Sequence, residues 1–435
     1  MLGAARGVLP GRRILRIGVT GLARAGKTAL LTSIGANLLA AGAGVASLPA
    51  LSAALGGRAL RARLAAPGAE RLPRFDHQAH LEALARDPPA FPARTGAVSL
   101  LAIELDIGRA RRLRLEFLDY PGEWLLDLPL LGQDFSLWAQ GVLRRLEGEA
   151  RAAAFLAFVH GLPAGAGAEE TLARAGATLY RDLLRRLRDE AGLCFLQPGR
   201  LLMPAPGPPP PWVDLFPMAG AGGLARLMRA RFDAYCRQVA ADLVAPGLGR
   251  IDRMVVLADL LSALHAGPAA FADMQAALAA VGSALHRRTR PGFLPPALAR
   301  LLPWGGIRRV AFAASKADHV AQGQRDNLAA LMGALTPGPA PATALALAAV
   351  RCAEDFVWTL EGRPVSAVRG RVEGQGLVGS YPGEIPRDLP EAAFWRHRFL
   401  AVPDFQPMRL PLGGRGGVAH IGVDRLLAFL LEDVL

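Results

Sequence analysis

The chain has 435 residues and a formal net charge of +13; 52% of its residues are hydrophobic and 20% are charged. This composition excludes a wholly disordered chain. The length suffices for two or three domains, or for one large domain with insertions. No apolar run is long enough to span a bilayer, the first residues lack a signal-peptide hydrophobic segment, and the three cysteines lie far apart, so we expect a cytoplasmic protein.

The first predicted elements are a strand at residues 14–20 and an amphipathic helix that follows Thr28. Between them, residues 21–28 read Gly-Leu-Ala-Arg-Ala-Gly-Lys-Thr, the G-x-x-x-x-G-K-T pattern of the phosphate-binding loop in P-loop NTPases. In such a loop backbone N–H groups surround a phosphate, Lys27 reaches the β- and γ-phosphates, and Thr28 offers its hydroxyl to Mg²⁺. The predicted phosphate-binding residues are Gly21, Arg24, Ala25, Gly26, Lys27, Thr28 and Ala29.

Two strand-like runs, at residues 98–107 and 112–118, follow as a predicted hairpin, and we expect the first to be antiparallel at a sheet edge. The second run ends at Asp119, which is the Walker B arrangement: the carboxylate approaches Mg²⁺, usually through a water. The backbone N–H of Gly122 is placed to contact a γ-phosphate, a contact that exists only with a triphosphate. Glu123 stands where Ras-like enzymes carry the residue that orients the attacking water. We therefore expect Lys27, Gly122 and Glu123 to take part in catalysis.

From about residue 138 to residue 243 the sequence pattern is helical. Helices are predicted at residues 143–160, 168–191 and 224–244, and a proline-rich break at 198–217. Roughly 190 residues separate Gly122 from Lys316, far more than a loop requires. This interval must therefore hold a helical insertion.

A base-recognition site is predicted where the next part of the sheet ends. Buried strands are expected at residues 253–259 and 307–314, and the latter leads into Ser-Lys-Ala-Asp. Lys27 and Lys316 are the two lysines of a chain that otherwise uses arginine as its cation, which draws attention to Lys316. In GTPases a strand-end Asn-Lys-x-Asp motif recognises guanine: the Asp accepts the ring N1–H and the exocyclic amine, and the Lys stem packs on the base. Asp318 has the spacing for this role.

Adenine lacks both of these donors, so it would leave the Asp318 carboxylate unpaired and ATP would be disfavoured. Ser315 replaces the Asn of the motif, which alters one supporting hydrogen bond. His319 is included in the predicted nucleotide-binding set. A last buried strand is predicted at residues 342–350, where GTPases place a backbone N–H against guanine O6. The residues expected to line this part of the base site are Val350 and Arg351.

The remaining C-terminal pattern predicts a small hairpin at residues 363–378, with its turn at Gly370 or at Glu373-Gly374, and an amphipathic closing helix. The net charge of +13 suggests nucleic-acid binding as one function to consider. Arginines are scattered along the predicted helices without interleaved aromatic residues, so nucleic-acid binding is disfavoured. Peripheral contact with an anionic membrane, such as the inner membrane, stays open as an alternative.

With these motifs in place, the chain resembles the YcjX-like family of bacterial P-loop GTPases, a stress-associated group. The motifs that carry the resemblance lie at residues 21–28, 87–95, 117–131, 196–204, 250–259, 315–320 and 420–426. The resemblance implies a Ras-like core that binds and hydrolyses GTP, with GTP or GDP and Mg²⁺ as ligands, and it implies Thr95 as the switch threonine on Mg²⁺. Two departures are Phe91, where similar proteins often have Trp, and Ser315.

We therefore predict a three-layer α/β P-loop NTPase fold with a mostly parallel sheet and a large α-helical insertion. The predicted divisions are a first core part at 1–135, the helical insertion at 136–248, a second core part at 249–360 with a helical insert at 265–305, a β-rich insert at 361–415 and a core helix at 416–435. The expected function is a slowly hydrolysing GTP-dependent switch with a protein effector that the sequence does not identify. Two alternatives are an ATP-dependent enzyme such as a small-molecule kinase, and a non-enzymatic scaffold that holds a nucleotide.

Overall fold

A seven-stranded sheet organises the protein. The computed structural model describes residues 12–22, 24–65, 72–92, 98–108, 111–203, 209–244, 251–289, 307–336, 342–397, 399–411 and 416–435. Within these ranges the strands of the main sheet are β1 (Arg12–Gly21), β2 (Leu60–Leu64), β3 (Ser99–Ile107), β4 (Arg111–Asp119), β5 (Arg253–Ala258), β6 (Arg309–Ala314) and β7 (Ala342–Ala346). Their order across the sheet is β2-β3-β4-β1-β5-β6-β7.

Most neighbouring strands of this sheet are parallel. The pairs β4–β1, β1–β5, β5–β6 and β6–β7 run parallel, whereas β2–β3 and β3–β4 are antiparallel. Every residue of the central strand β5 is buried, as expected when helices cover both faces of a parallel sheet. The predicted mostly parallel α/β fold is therefore confirmed.

Helices lie on both faces of the sheet. Their bounds are α1 (Lys27–Gly42), α2 (Pro49–Leu55), α3 (His77–Ala85), α4 (Gly122–Leu126), α5 (Phe135–Leu146), α6 (Ala153–Gly161), α7 (Glu170–Asp189), α8 (Gly223–Val244), α9 (Leu260–Ala266), α10 (Pro268–Thr289), α11 (Arg325–Leu335) and α12 (Val423–Leu431). Alternate residues of β5 point to opposite faces: Val255 and Leu257 pack with α1, α2 and α12, whereas Met254 and Val256 belong to the other apolar cluster.

The predicted helical insertion shares its core with this second face of the sheet. The buried stripe of α7 includes Ala173, Ala177, Tyr180 and Leu184, at the spacing of one helix face. These residues, together with the buried side of α8, belong to the same apolar cluster as the sheet residue Met254. The inserted helices and this face of the sheet thus belong to one continuous apolar core. The division of the chain into core and inserts stays a prediction.

Two sequence predictions about elements in the first half need correction, and one strand, β2, was missed. The helix predicted at residues 143–160 is two helices, α5 and α6, because the chain turns at Gly148, whose φ is +81°. The antiparallel direction of β3 is confirmed, but its predicted edge position is wrong, since β2 pairs outside it. The sequence of β2, Leu-Arg-Ala-Arg-Leu, lies within an Ala- and Gly-rich stretch that hides its alternation.

The C-terminal part contains a separate three-stranded antiparallel sheet. Its strands are β8 (Ala353–Leu360), β9 (Arg363–Val372) and β10 (Gly376–Ser380). The predicted hairpin is β9–β10, with its turn at Glu373-Gly374; the alternative at Gly370 is wrong, since Gly370 lies inside β9. The strand predicted at 342–350 ends at Ala346 and is half exposed as an edge strand, and the prediction missed β8. Among the described residues, no helix is both long enough and apolar enough to cross a membrane.

Candidate functional site

The predicted phosphate-binding loop connects β1 to α1. Strand β1 is held beside β5 up to its end, where the N–H of Leu22 donates to the carbonyl of Leu257 at 2.9 Å. Gly26 is the residue before α1 and has φ +82°, in the left-handed region that favours glycine. Lys27 begins the helix, and its Nζ donates to the carbonyl oxygen of Gly21 at 3.3 Å. The lysine side chain thus reaches from the start of α1 back to the end of β1, across the loop.

The loop after β4 lies directly against this lysine. In the parallel register of β1 and β4, Val19 is opposite Asp119, and the N–H of Tyr120 donates to the Val19 carbonyl at 2.9 Å. A Cβ atom placed on Gly122 would overlap the carbonyl oxygen of Gly21 and would lie 3.1 Å from Lys27 Nζ. A side chain at position 122 therefore cannot be accommodated here. The structure brings together the predicted phosphate loop and the predicted γ-phosphate contact.

Oxygen donors suited to a magnesium ion lie at the same place. Asp119 is only 3% exposed at the end of β4, and Thr28 is half-buried in the first turn of α1. A carboxylate and a hydroxyl beside phosphate groups are the donors that Mg²⁺ uses, together with water, so the two residues fit the ion. Thr95 lies outside the described residues. The described part of the chain holds no cluster of three His, Cys, Asp or Glu side chains that would suit another metal.

Arg24, in the predicted phosphate loop, lies near one end of the predicted helical insertion. Arg24 has a left-handed backbone with φ +60° and an exposed side chain. Hydrogen bonding from Arg188 is the main cause that lowers the pKa of Asp189, and the positive charge of Arg24 contributes to the same shift. Asp189 is the last residue of α7, so this end of the insertion lies near the phosphate loop. The side chain of Glu123 is outside the described part of the structure.

The second lysine is held by an acid that the sequence analysis did not select. Lys316 follows β6 with φ +60°, and its Nζ lies 2.7 Å from Oδ2 of Asp259. Asp259 comes directly after β5 and is 4% exposed. It also begins α9, since its carboxylate accepts the N–H of Ser262 at 3.1 Å and the hydroxyl of Ser262 at 2.6 Å. An acid at the end of the strand beside β6 is the sequence signal that could have identified it.

The carboxylate of Asp318 is buried and fixed from two sides. Its Oδ2 accepts the backbone N–H of Cys352 at 2.6 Å, and its Oδ1 lies 3.1 Å from Nδ1 of His319. Burial acts to raise the pKa of Asp318, but the hydrogen bond and charge of His319 and the Cys352 N–H outweigh it, so the pKa lies below its usual value. The group is thus an ionised acceptor. It is 1% exposed, so a base that reaches it has to displace neighbouring atoms.

The surroundings of Asp318 modify two further predictions. Ser315 donates its hydroxyl to the carbonyl of Ala258 at 3.2 Å and so links the ends of β5 and β6, where the motif usually has Asn. The backbone N–H of Arg351 already donates to the carbonyl of Ala419 at 2.8 Å. The amide that faces the Asp318 carboxylate is that of Cys352, one residue beyond the predicted pair.

All of these groups follow the carboxyl ends of neighbouring parallel strands. Asp119 ends β4, the phosphate loop follows β1, Asp259 follows β5, and Lys316 follows β6, and these four strands are adjacent in the sheet. In open α/β sheets, ligands bind in the crevice outside this edge. The arrangement can hold a phosphate chain at one end and a purine base with hydrogen-bond donors at the other.

Comparisons with known proteins agree with the family resemblance that the sequence motifs indicate. A family model described as the YcjX-like family, DUF463, matches residues 15–435, a range that contains both the phosphate-binding loop and Asp318. A relative named Ras-like GTPase YcjX, from Escherichia coli (strain K12), is 33% identical over a gapped alignment of 457 positions that covers 97% of this chain and 96% of the relative. A second protein of that name, from Shewanella oneidensis, is 29% identical over a gapped alignment of 467 positions that covers 97% of this chain and 95% of the relative.

Proposed function

The chain belongs to the YcjX-like family, and on that premise we propose that it binds guanine nucleotides and hydrolyses GTP to GDP and phosphate as a nucleotide-dependent switch. One observation carries the proposal: Lys27 crosses the phosphate loop beside Gly122, while Asp318 stays ionised and buried at the end of a nearby parallel strand. The first arrangement suits a phosphate chain, and the second suits a base that offers two N–H donors.

For the reaction, we propose in-line attack of water on the γ-phosphate. Lys27 would neutralise charge on the β- and γ-phosphate oxygens, and the N–H of Gly122 would donate to a γ-phosphate oxygen. Glu123 would orient the attacking water, and Arg24 would add local positive charge. Thr28 and Asp119 would hold Mg²⁺, with Thr95 as a further ligand, and the ion would supply neutralisation of the phosphate charge. This set contains no arginine assigned to the transition state, so turnover would be slow.

Guanine selectivity is tested by Asp318→Asn. An amide at this position would no longer accept two donors from guanine, so affinity would shift from guanosine toward xanthosine nucleotides, whose ring carries a carbonyl in place of the amine. The exposed Asp388 provides a control substitution, Asp388→Asn, that should leave base preference unchanged. Equal displacement of labelled GDP by ATP and by GTP in the unaltered protein would instead favour an ATP-dependent enzyme.

Hydrolysis is tested by single-turnover phosphate release. We expect slow release by the unaltered protein and a further loss in Glu123→Ala. Release from neither protein would favour the scaffold alternative, in which the nucleotide serves structure. For the switch role, capture with GDP-loaded and GTP-analogue-loaded protein should recover an effector that prefers one form, since only such a partner is driven by the nucleotide state. A role in stress response is part of the same proposal, as is the division into a core with helical and β-rich inserts.

A further inference from the structure

The short helix α4 joins the phosphate site to the helical insertion. It begins at Gly122, beside Lys27, and contains five residues, so it spans about 7.5 Å at 1.5 Å per residue. Asp127 follows its last turn and is 0% exposed. Gly122 and Asp127 lie at the two ends of this one turn, five residues apart, so contacts that fix Asp127 restrict the positions that Gly122 can take.

Asp127 is fixed by two segments of the insertion. Its Oδ1 accepts the backbone N–H of Gly199 at 2.8 Å, and its Oδ2 accepts the hydroxyl of Tyr235 on α8. The Tyr235 hydroxyl in turn accepts the backbone N–H of Arg200 at 3.3 Å. Tyr235 is fully buried, so this hydroxyl exchanges none of its partners with solvent. A buried polar group that loses its partner is strongly destabilised, so Asp127 is held in the one position that keeps all of these contacts.

The same insertion segment holds the rest of α4. The side-chain amide of Gln197 donates to the carbonyl of Leu126 at 2.5 Å, and the carbonyl of Gln197 accepts the hydroxyl of Tyr180 on α7 at 2.6 Å. The guanidinium of Arg200 lies 4.2 Å from the ring centroid of Trp124, within the stacking range of a cation–π pair. Its side chain is 9% exposed, so the pair is mostly removed from water.

We infer that Tyr235 and Arg200 are positioning residues for GTP hydrolysis, which hold the N–H of Gly122 opposite the γ-phosphate through Asp127 and Trp124. The inference rests on the proposed function and extends it, since it makes the insertion a part of the catalytic machinery. Neither residue touches the nucleotide in this scheme. Their effect is on the transition state, because a misplacement of about 1 Å in a reacting group can cost up to about a hundredfold in rate.

Tyr235→Phe is the direct test, since it removes one hydroxyl and keeps the ring. We expect single-turnover GTP hydrolysis to fall about tenfold, with the affinities for GDP and for a non-hydrolysable GTP analogue within about twofold of the unaltered protein. The matched control is Tyr381→Phe, which removes a hydroxyl that contacts Glu384 in an exposed part of the chain. This control should hydrolyse normally.

Arg200→Lys is the second variant, because it keeps a positive charge and removes the planar group that stacks on Trp124. We expect the same separation of rate from affinity. Unchanged hydrolysis in both variants would overturn the inference and leave the proposed function standing. A proportional loss of rate, affinity and melting temperature would also overturn it, since that is the pattern of a purely structural role. If the unaltered protein releases no phosphate, the proposed hydrolysis and this inference fail together.

Discussion

The contact between Lys316 and Asp259 allows the proposed base site to be tested separately from fold stability. Asp259 has two tasks: it pairs with Lys316 Nζ at 2.7 Å, and it caps α9 through the N–H of Ser262. Asp259→Ala removes both, and we expect a loss of about 2 kcal/mol in the free energy of unfolding, about 1 kcal/mol from the cap and about 1 kcal/mol from the partly exposed ion pair. Asp259→Ser keeps an oxygen that can cap α9 and removes only the ion pair.

The two variants should therefore separate stability from binding. In both, the freed Lys316 stem can leave the plane where the base would lie, and we expect GDP affinity to fall about tenfold, or about 1.4 kcal/mol. Asp259→Ser should lose only about half as much unfolding free energy as Asp259→Ala. GDP affinity from titration calorimetry and unfolding in urea measure the two quantities. Wild-type GDP affinity in Asp259→Ser would refute the reasoning that this pair orients the lysine for base binding.

Three further predictions concern the phosphate end. Gly122→Ala should lower the affinity for a GTP analogue at least tenfold more than the affinity for GDP, measured by fluorescence titration, because a Cβ there would overlap the Gly21 carbonyl and displace the loop. Lys27→Ala should lower the affinities for GDP and for the GTP analogue at least a hundredfold. Affinities equal to those of the unaltered protein would contradict the phosphate-loop assignment. Burial raises the pKa of Asp127 to about 6, so the stability that this group contributes is full below its unfolded pKa and is lost as the pH rises through 6. Relative to Asp127→Asn, the free energy of unfolding in urea should fall by roughly 2.5 kcal/mol between pH 4 and pH 7.5, and parallel pH profiles of the two proteins would contradict this.

The sequence predicts the parts of this site that depend on local pattern. The phosphate loop and the Lys316–Asp318 segment could be recognised because each follows an apolar strand and contains its characteristic residues within a few positions. The fold class and the family resemblance were predicted on the same residues and are confirmed. The order of the parallel strands places these segments at one edge, which local pattern alone does not establish.

The residues that sequence reasoning missed depend on contacts between distant parts of the chain. Asp259 acts on Lys316 because β5 and β6 are neighbours, and Cys352 reaches Asp318 from the segment between β7 and β8. Neither contact leaves a short motif. Similarly, the short alternation of β2 cannot be distinguished from its Ala- and Gly-rich surroundings until β3 is there to pair with it.

The two ends of the site differ in what holds them in place. At the base end, Asp318 is fixed by Cys352 and His319, and Lys316 by Asp259, all of them beside the ends of β5 and β6 or in the following loops. At the phosphate end, the residues after Gly122 are fixed from the insertion, whose apolar core is continuous with one face of the sheet. A change in the packing of α8 therefore reaches Gly122 without passing through the base site. Under the proposed function, such an arrangement would let base selection and hydrolysis respond independently, and a partner bound to the insertion would alter the rate of hydrolysis while leaving the choice of nucleotide unchanged.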